Sequence, residues 1–527
     1  MRKILSMRRA LSDPDYFGSD AMLGGSSWAG WRVLLLAIVG EALSEDERVI
    51  FRELTERDHE PAEPVKEFTG VIGRRGGKSR AMGTLAGYLA GCVDYRGVLA
   101  PGQRGRLPVI AASKDQADEV MSYCKGTFEQ SSALRDLVTN DIDRTLSLRS
   151  GIDIQVRALS FRNLRGAANI AVICDEQAYW RSDESASPDS EIIAALKPSL
   201  ATTRGPLIQI SSPYAKRGTL YQSFVRDFGP DGRASRLVAR AATVKLNPSI
   251  DQDFLADAFE DDPVAANSEY NAEWRDDISA FIAGEIVDRV TVANRTEIPP
   301  EAGITYTAFV DVGGGTGGDS YTAAIAHVRP MEGSRETCAV LDLLFEVKPP
   351  YSPDEVTATL CEILKRYRIA NVTGDSYGGA WPRERFAHNG IKYETASKQN
   401  IAQLLNPSES KSGPLYASEI YRTFLALANS GRVELLDHKK MRTQLLTLER
   451  RTTPSGSDNI THPKGGHDDC VNAAAGACVL AAHARQPLVI SRDVVAYWQS
   501  KDQQRLQRQA AGIYRSFENM SPNNPFR

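Results

Sequence analysis

Over the first half of the chain, short apolar runs alternate with stretches of helical periodicity. Phe68–Gly73 reads as a strand that enters a glycine-rich turn, and Pro108–Ser113 as a second strand. Ala117–Phe128 has the spacing of a helix. Ile152–Leu159, Ile170–Glu176 and Pro206–Ser212 are further strands. Uninterrupted apolar strands separated by helices predict a parallel sheet covered on both faces. Upstream, Trp31–Leu43 has an amphipathic helical pattern. Downstream, Asp251–Asp277 is acidic and helical, and residues 290–304 have linker character.

A second α/β pattern follows. Residues 305–315 (TYTAFVDVGGG) form an apolar strand ending at Asp311. Tyr321–Val328 and Cys338–Val347 have the spacing of neighbouring strands. A helix over Pro353–Tyr367, strands at Ile369–Asp375 and Ile391–Thr395, and an Ala-rich helix over Asp468–Ala484 complete it. The expected organisation is an α/β chain of two domains. An N-terminal segment (1–50) precedes a parallel-sheet domain (51–289). A linker (290–304), a second α/β domain (305–484) and a tail (485–527) follow.

Composition changes this picture little. The chain has 527 residues with a hydrophobic fraction of 42% and a charged fraction of 25%, ordinary globular usage that excludes wholesale disorder. No apolar run approaches the roughly 18 residues of a membrane span, and the basic N-terminus lacks a continuous apolar core of the signal-peptide kind. The cysteines are scattered without a CxxC pair, which predicts reduced, buried thiols and neither a disulfide framework nor zinc. The formal net charge of −4 gives no sign of a nucleic-acid partner. Net charge, however, says little about a local groove.

Candidate chemistry changes the picture more. Gly73-Arg74-Arg75-Gly76-Gly77-Lys78-Ser79 lies between a strand and a helix. Backbone N–H groups in such a turn form an anion nest, Lys78 adds a point charge for phosphates, and the Ser79 hydroxyl can ligate Mg2+. The usual pattern has a glycine where this chain has Ile72. Asp175 and Glu176 end a buried strand, where an ATPase places a Mg2+-side Asp and a Glu that activates water. Ser211-Ser212-Pro213 ends another strand, a place from which small hydroxyls can sense a γ-phosphate. Together these predict ATP hydrolysis.

Three acidic stations occupy the second pattern: Asp311, with Asp319 in the turn after it; Asp375; and His467-Asp468-Asp469 at the start of the last helix. If the strands are neighbours and the helix crosses them, these carboxylates can hold two Mg2+ or Mn2+ ions for phosphodiester cleavage. Lys398 could contact phosphate or position a water. Basic clusters at Arg157/Arg162/Arg165, Lys216/Arg217, Lys439/Lys440/Arg442 and Arg450/Arg451 are candidate DNA contacts. The tail carries seven basic and three acidic residues.

The motifs GRRGGKS, ICDE, SSP, FVDVGGG, TGDSYGG and GGHDDCVNAAA, in this order and spacing from about Val65 to Ala484, resemble the large subunit of tailed-phage DNA-packaging terminases. The resemblance implies a P-loop ATPase followed by a ribonuclease H-like nuclease. It implies that Arg74 acts in cis near the γ-phosphate, that Lys78, Ser79 and Asp175 hold phosphates and Mg2+, and that Glu176 is the catalytic base. Ser211-Ser212-Pro213 would couple hydrolysis to movement. Asp311, Asp375 and one of Asp468 and Asp469 would be nuclease metal ligands, with Asp319 an auxiliary acid. The implied partners are double-stranded DNA, a portal protein, a small terminase subunit and further copies in a ring, in the host cytoplasm and with no membrane. ATP and Mg2+ are the implied cofactors, Mn2+ replacing Mg2+ in the nuclease. Two other readings stay open: a helicase-like ATPase fused to a repair nuclease, and a structural ring with a vestigial acidic set.

Overall fold

The computed structural model describes residues 2–159, 168–181, 185, 187–316, 319–334, 336–374, 379–396, 417–452, 458–463, 466–483 and 501. They fall into two compact units. The first comprises residues 1–296, 416–431 and 435–472, and the second 297–415, 432–434 and 473–527.

The first unit is built on an eight-stranded sheet. In chain order its strands are β1 (Glu67–Ile72), β2 (Gly105–Ala111), β3 (Val138–Ile142), β4 (Thr145–Leu148), β5 (Ile152–Ala158), β6 (Val172–Asp175), β7 (Leu207–Ser211) and β8 (Arg236–Ala241). In space they run β8-β1-β7-β6-β2-β5-β4-β3. Neighbours from β8 to β5 are parallel, and β4 and β3 continue as an antiparallel edge. β6 and β7 are buried throughout, and β1 from Phe68 onward, as in a parallel sheet covered on both faces. The sheet therefore has the parallel core expected from sequence; the β3–β4 hairpin and β8 are additions to it.

The N-terminal residues belong to the same core. Phe17, Trp31 and Leu34 are fully buried with β1 and the helix Lys78–Gly91. The helix Ala29–Ile38 buries Trp31 and every residue from Val33 to Ile38, so it has no solvent face along that run. The amphipathic pattern expected there is thus corrected: a helix wrapped by neighbours is apolar all round. Residues 2–50 are correspondingly not a separate segment.

Residues 435–472 pack with the first unit through a small sheet. The strand Ile278–Ala280 pairs antiparallel with Glu449–Thr452, which pairs with Asp458–Thr461. Glu449, fully buried, accepts from Tyr214 Oη at 2.7 Å, from Arg451 Nη2 at 3.1 Å and from Arg217 Nη2. These residues differ in grouping from the boundary at 305 expected from sequence, because a strand pairing distant in sequence holds them.

The second unit carries a six-stranded sheet of β9 (Tyr306–Asp311), β10 (Tyr321–Pro330), β11 (Thr337–Val347), β12 (Asn371–Gly374), β13 (Lys392–Thr395) and β14 (Val433–Glu434). The order is β13-β12-β9-β10-β11-β14. β10 is antiparallel to β9 and β11, while β12 and β13 run parallel to β9. Three meandering strands are flanked by parallel ones on the β9 side, a mixed sheet of the α/β class. The helix Asp469–His483 lies against β9: a Cβ added at Gly476 would stand 2.6 Å from Phe309 Cδ2. Among the described residues no helix is long and apolar enough to cross a membrane. All seven cysteines are buried and in the thiol form, as the scattered spacing predicts.

Candidate active site

Three neighbouring parallel strands set the site. β7 lies between β1 and β6, so the loops at their C-terminal ends open side by side. β1 leads into the turn 73–77 and then the helix Lys78–Gly91; β6 ends at Asp175; β7 ends at Ser211. A parallel sheet gathers its functional loops at its carboxyl edge, so motifs far apart in sequence meet there.

The turn is fixed by its glycines and by what surrounds it. Gly77 caps the helix with φ +81°, and a Cβ there would stand 2.8 Å from the Trp28 ring. At Gly73 a Cβ would come within 2.7 Å of Thr243 N and Tyr270 O. Trp31 Nε1 donates to Gly76 O at 2.7 Å, Thr243 Oγ1 to Arg74 O at 2.7 Å and Asn247 Nδ2 to Arg75 O at 3.0 Å. With those carbonyls held outward, the turn keeps the geometry of an anion nest despite Ile72 at the usual glycine position.

Lys78 is the node. Its side chain is 6% exposed, and Nζ stands 2.9 Å from Ser212 Oγ and 3.1 Å from Glu176 Oε1. Glu176 Oε2 accepts from Ser211 Oγ at 3.0 Å and from Ser212 N at 3.3 Å. Glu176 itself is left-handed (φ 46°), a strained position for a residue with a Cβ, and the turn carries its carboxylate back towards β7. The structure thus brings together Lys78, Glu176, Ser211 and Ser212 as the sequence predicted.

Asp175 differs from Glu176. It is 4% exposed, and its Oδ1 has no hydrogen-bond partner. Burial first, and then repulsion from Glu176, push its pKa up to about 7 against the opposing Lys78 charge. A buried acceptor with no donor fits a cation arriving with a ligand, and Ser79 lines the same cavity. This cavity, about 610 Å3, also includes Trp28, Gln116, Tyr123 and Asn247. Its size suits a nucleotide. Arg74 is half-exposed at the rim, where Nη1 donates to Glu269 Oε2 at 2.8 Å. Arg75 has φ 64° and lines the cavity. Trp28, Gln116, Asn247 and Glu269 escaped the sequence reading, since each comes from an element without a motif and only folding delivers it.

The second acidic set is placed in part. Asp311 ends β9, and Asp319 lies before β10, both in the second unit. Asp468 and Asp469 stand at the start of the helix Asp469–His483, in the stretch grouped with the first unit. Asp468 Oδ2 accepts from Tyr421 Oη at 2.7 Å, and Asp469 is 7% exposed. Asp375 and Lys398 lie outside the described residues, as do Arg162, Arg165 and the tail apart from Lys501.

Five of the candidate basic contacts face carboxylates. Lys216 pairs with Asp276, Arg217 with Glu449, Arg442 with Asp288, Arg450 with Asp458 and Arg451 with Glu449. Residues that read in sequence as charge runs are, in the fold, partners in ion pairs.

No protein-family model matches the chain, and no curated protein does. Among solved structures it is similar to the large terminase of bacteriophage HK97, at 14% identity over 85% of this chain and 99% of that one, with a TM-score of 0.35. It is similar to the large terminase of a thermophilic bacteriophage at 10% identity, over 85% and 97% of the two chains, with a TM-score of 0.36. The large terminase nuclease of the thermophilic phage G20c shares 17% identity over 38% of this chain and 96% of that one, with a TM-score of 0.28.

Proposed function

We propose that the chain is the large subunit of a viral DNA-packaging terminase: an ATP hydrolase that drives double-stranded DNA, joined to a metal-dependent endonuclease. The observation that carries the ATPase half is the convergence of three adjacent strand ends on Lys78 Nζ, with Ser212 Oγ at 2.9 Å and Glu176 Oε1 at 3.1 Å. Lys78, Ser79 and the turn amides hold the phosphates, and Asp175 with Ser79 holds Mg2+. Mg2+ supplies neutralisation of charge on the β- and γ-phosphates.

Glu176 is the base. Its carboxylate is engaged by Lys78 and by Ser211 and Ser212; once a phosphate draws the Lys78 ammonium away, Glu176 Oε1 is released to take a proton from water. Ser211 and Ser212 link that carboxylate to the end of β7. Loss of the γ-phosphate is therefore transmitted to Pro213 and the segment beyond it, which is the coupling role proposed for Ser211-Ser212-Pro213. Arg74, paired with Glu269 at the rim, reaches the γ-phosphate in cis.

For the nuclease half, Asp311, Asp375 and one of Asp468 and Asp469 ligate Mg2+ or Mn2+, with Asp319 auxiliary and Lys398 near phosphate. The ribonuclease H-like order of β9 to β13 supports this. The chain works with a portal protein, a small subunit and further copies of itself in a ring in the host cytoplasm.

The deciding experiment measures ATP turnover and plasmid nicking on four variants. Lys78→Ala and Glu176→Gln should abolish turnover and leave Mn2+-dependent nicking intact. Asp311→Ala and Asp375→Ala should do the reverse. Nicking unchanged in both aspartate variants removes the nuclease assignment, and joint loss of both activities in folded protein removes the two-site reading. Protection of DNA inside a capsid shell in the presence of portal separates packaging from a repair nuclease.

A further inference from the structure

A second cavity of about 640 Å3 lies in the first unit, lined by residues that follow β6 and β7 and by the helix Lys439–Thr447. It is distinct in lining from the nucleotide cavity, and nothing in the proposed function uses it. Three polar atoms of its lining residues are buried without hydrogen-bond partners: Arg181 Nε, Gln177 Oε1 and Gln444 Nε2. Gln177 and Gln444 are each 2% exposed. Buried polar groups are as a rule bonded, and two of these orphans, Arg181 Nε and Gln444 Nε2, are donors on residues that line the cavity.

Among the described residues, three arginines gather at or beside this cavity. Arg181, Arg217 and Arg451 face two nearby carboxylates, Glu449 and Asp189. Glu449 is committed to Tyr214, Arg217 and Arg451, and Asp189 to Thr219 N at 2.6 Å and Thr219 Oγ1 at 2.9 Å. Among the described residues Arg181 has no carboxylate of its own: its Nη1 donates to the carbonyls of Ala178 and Trp180, and its guanidinium lies over the Tyr214 ring. Burial, and then the neighbouring Arg217, hold its pKa below the ordinary arginine value. A half-buried guanidinium whose Nε lacks a hydrogen bond is costly, and an anion relieves it. Guanidinium Nε with a second guanidinium close by is a donor set suited to phosphate oxygens.

We propose that this cavity is a phosphate-binding site, taking the phosphate of a nucleotide or of a nucleic-acid strand, with Arg181 as its principal donor. The site does not depend on the terminase reading.

The test uses the full chain with its P-loop site filled by excess Mg2+ and ADP, and titrates pyrophosphate calorimetrically. Arg181→Gln and Ala283→Glu are compared with the unaltered chain. Ala283 is exposed on the cavity's lining and its side chain makes no capping hydrogen bond, so changes there leave the fold's bonds intact. Both variants should weaken pyrophosphate about tenfold, and Ala283→Lys should tighten it, with ADP affinity unchanged. If a short DNA duplex then competes with pyrophosphate, the phosphate belongs to a strand. If extra ATP competes and the duplex does not, it belongs to a nucleotide. Absence of pyrophosphate binding beyond the P-loop, or equal affinity in Ala283→Glu and Ala283→Lys, overturns the proposal. Should Arg181→Gln fail to fold, the Ala283 pair decides alone.

Discussion

Asp175 offers a test in which a single carboxylate writes its environment onto the stability curve. In the folded chain its pKa is pushed up to about 7, against an ordinary aspartate value of 3.8, because it is buried beside Glu176. Between these two values the folded state holds a proton that the unfolded state has released. Its contribution to stability is therefore fully present below about pH 4 and is lost as pH rises through 7. The slope for one proton is about 1.4 kcal/mol per pH unit. Asp175→Asn removes the ionisation and keeps the shape. In EDTA, thermal unfolding of the first unit should show the variant close to the unaltered chain at pH 4 and increasingly more stable towards pH 8. Added Mg2+ with ADP should reverse the ranking, because only the ionised aspartate rewards the metal. A stability gap that stays constant from pH 4 to pH 8, or a variant less stable at pH 8 without metal, refutes the account of Asp175 as a buried carboxyl awaiting a cation.

Other consequences are as direct. Gly77→Ala places a methyl 2.8 Å from the Trp28 ring at a left-handed backbone position, and equilibrium dialysis should find ADP binding lost in an otherwise folded chain. Gly476→Ala drives a methyl into the Phe309 ring; it should cost about 1–3 kcal/mol in urea unfolding, and Phe309→Leu on the same chain should restore part of it. Glu449→Ala leaves Arg217, Arg451 and Tyr214 without their buried acceptor, for a loss of about 3–5 kcal/mol by the same measurement, whereas breaking an exposed pair such as Lys365–Glu362 should leave the urea midpoint where it was.

The sequence by itself determined which residues make up the candidate nucleotide site and most of the strands around it. Residues 73–79, Asp175-Glu176 and Ser211-Ser212 are local signals: a glycine-rich turn, a helix start and strand ends each need particular residue types within a few positions. Apolar runs such as Val172–Cys174 mark buried strands for the same reason, since both faces of a parallel strand meet helices. Only tertiary structure decided that β7 lies between β1 and β6, and so that Ser212 and Glu176 reach the same lysine. Strand order is set by packing over distances that no local pattern records. The same holds for Trp28 and Trp31, which close the phosphate turn from an N-terminal segment that reads as peripheral. It holds for the basic clusters too. A run of arginines looks identical in sequence whether it faces DNA or a buried Glu449, because a charge is defined chemically by its residue but energetically by the partner that folding brings to it.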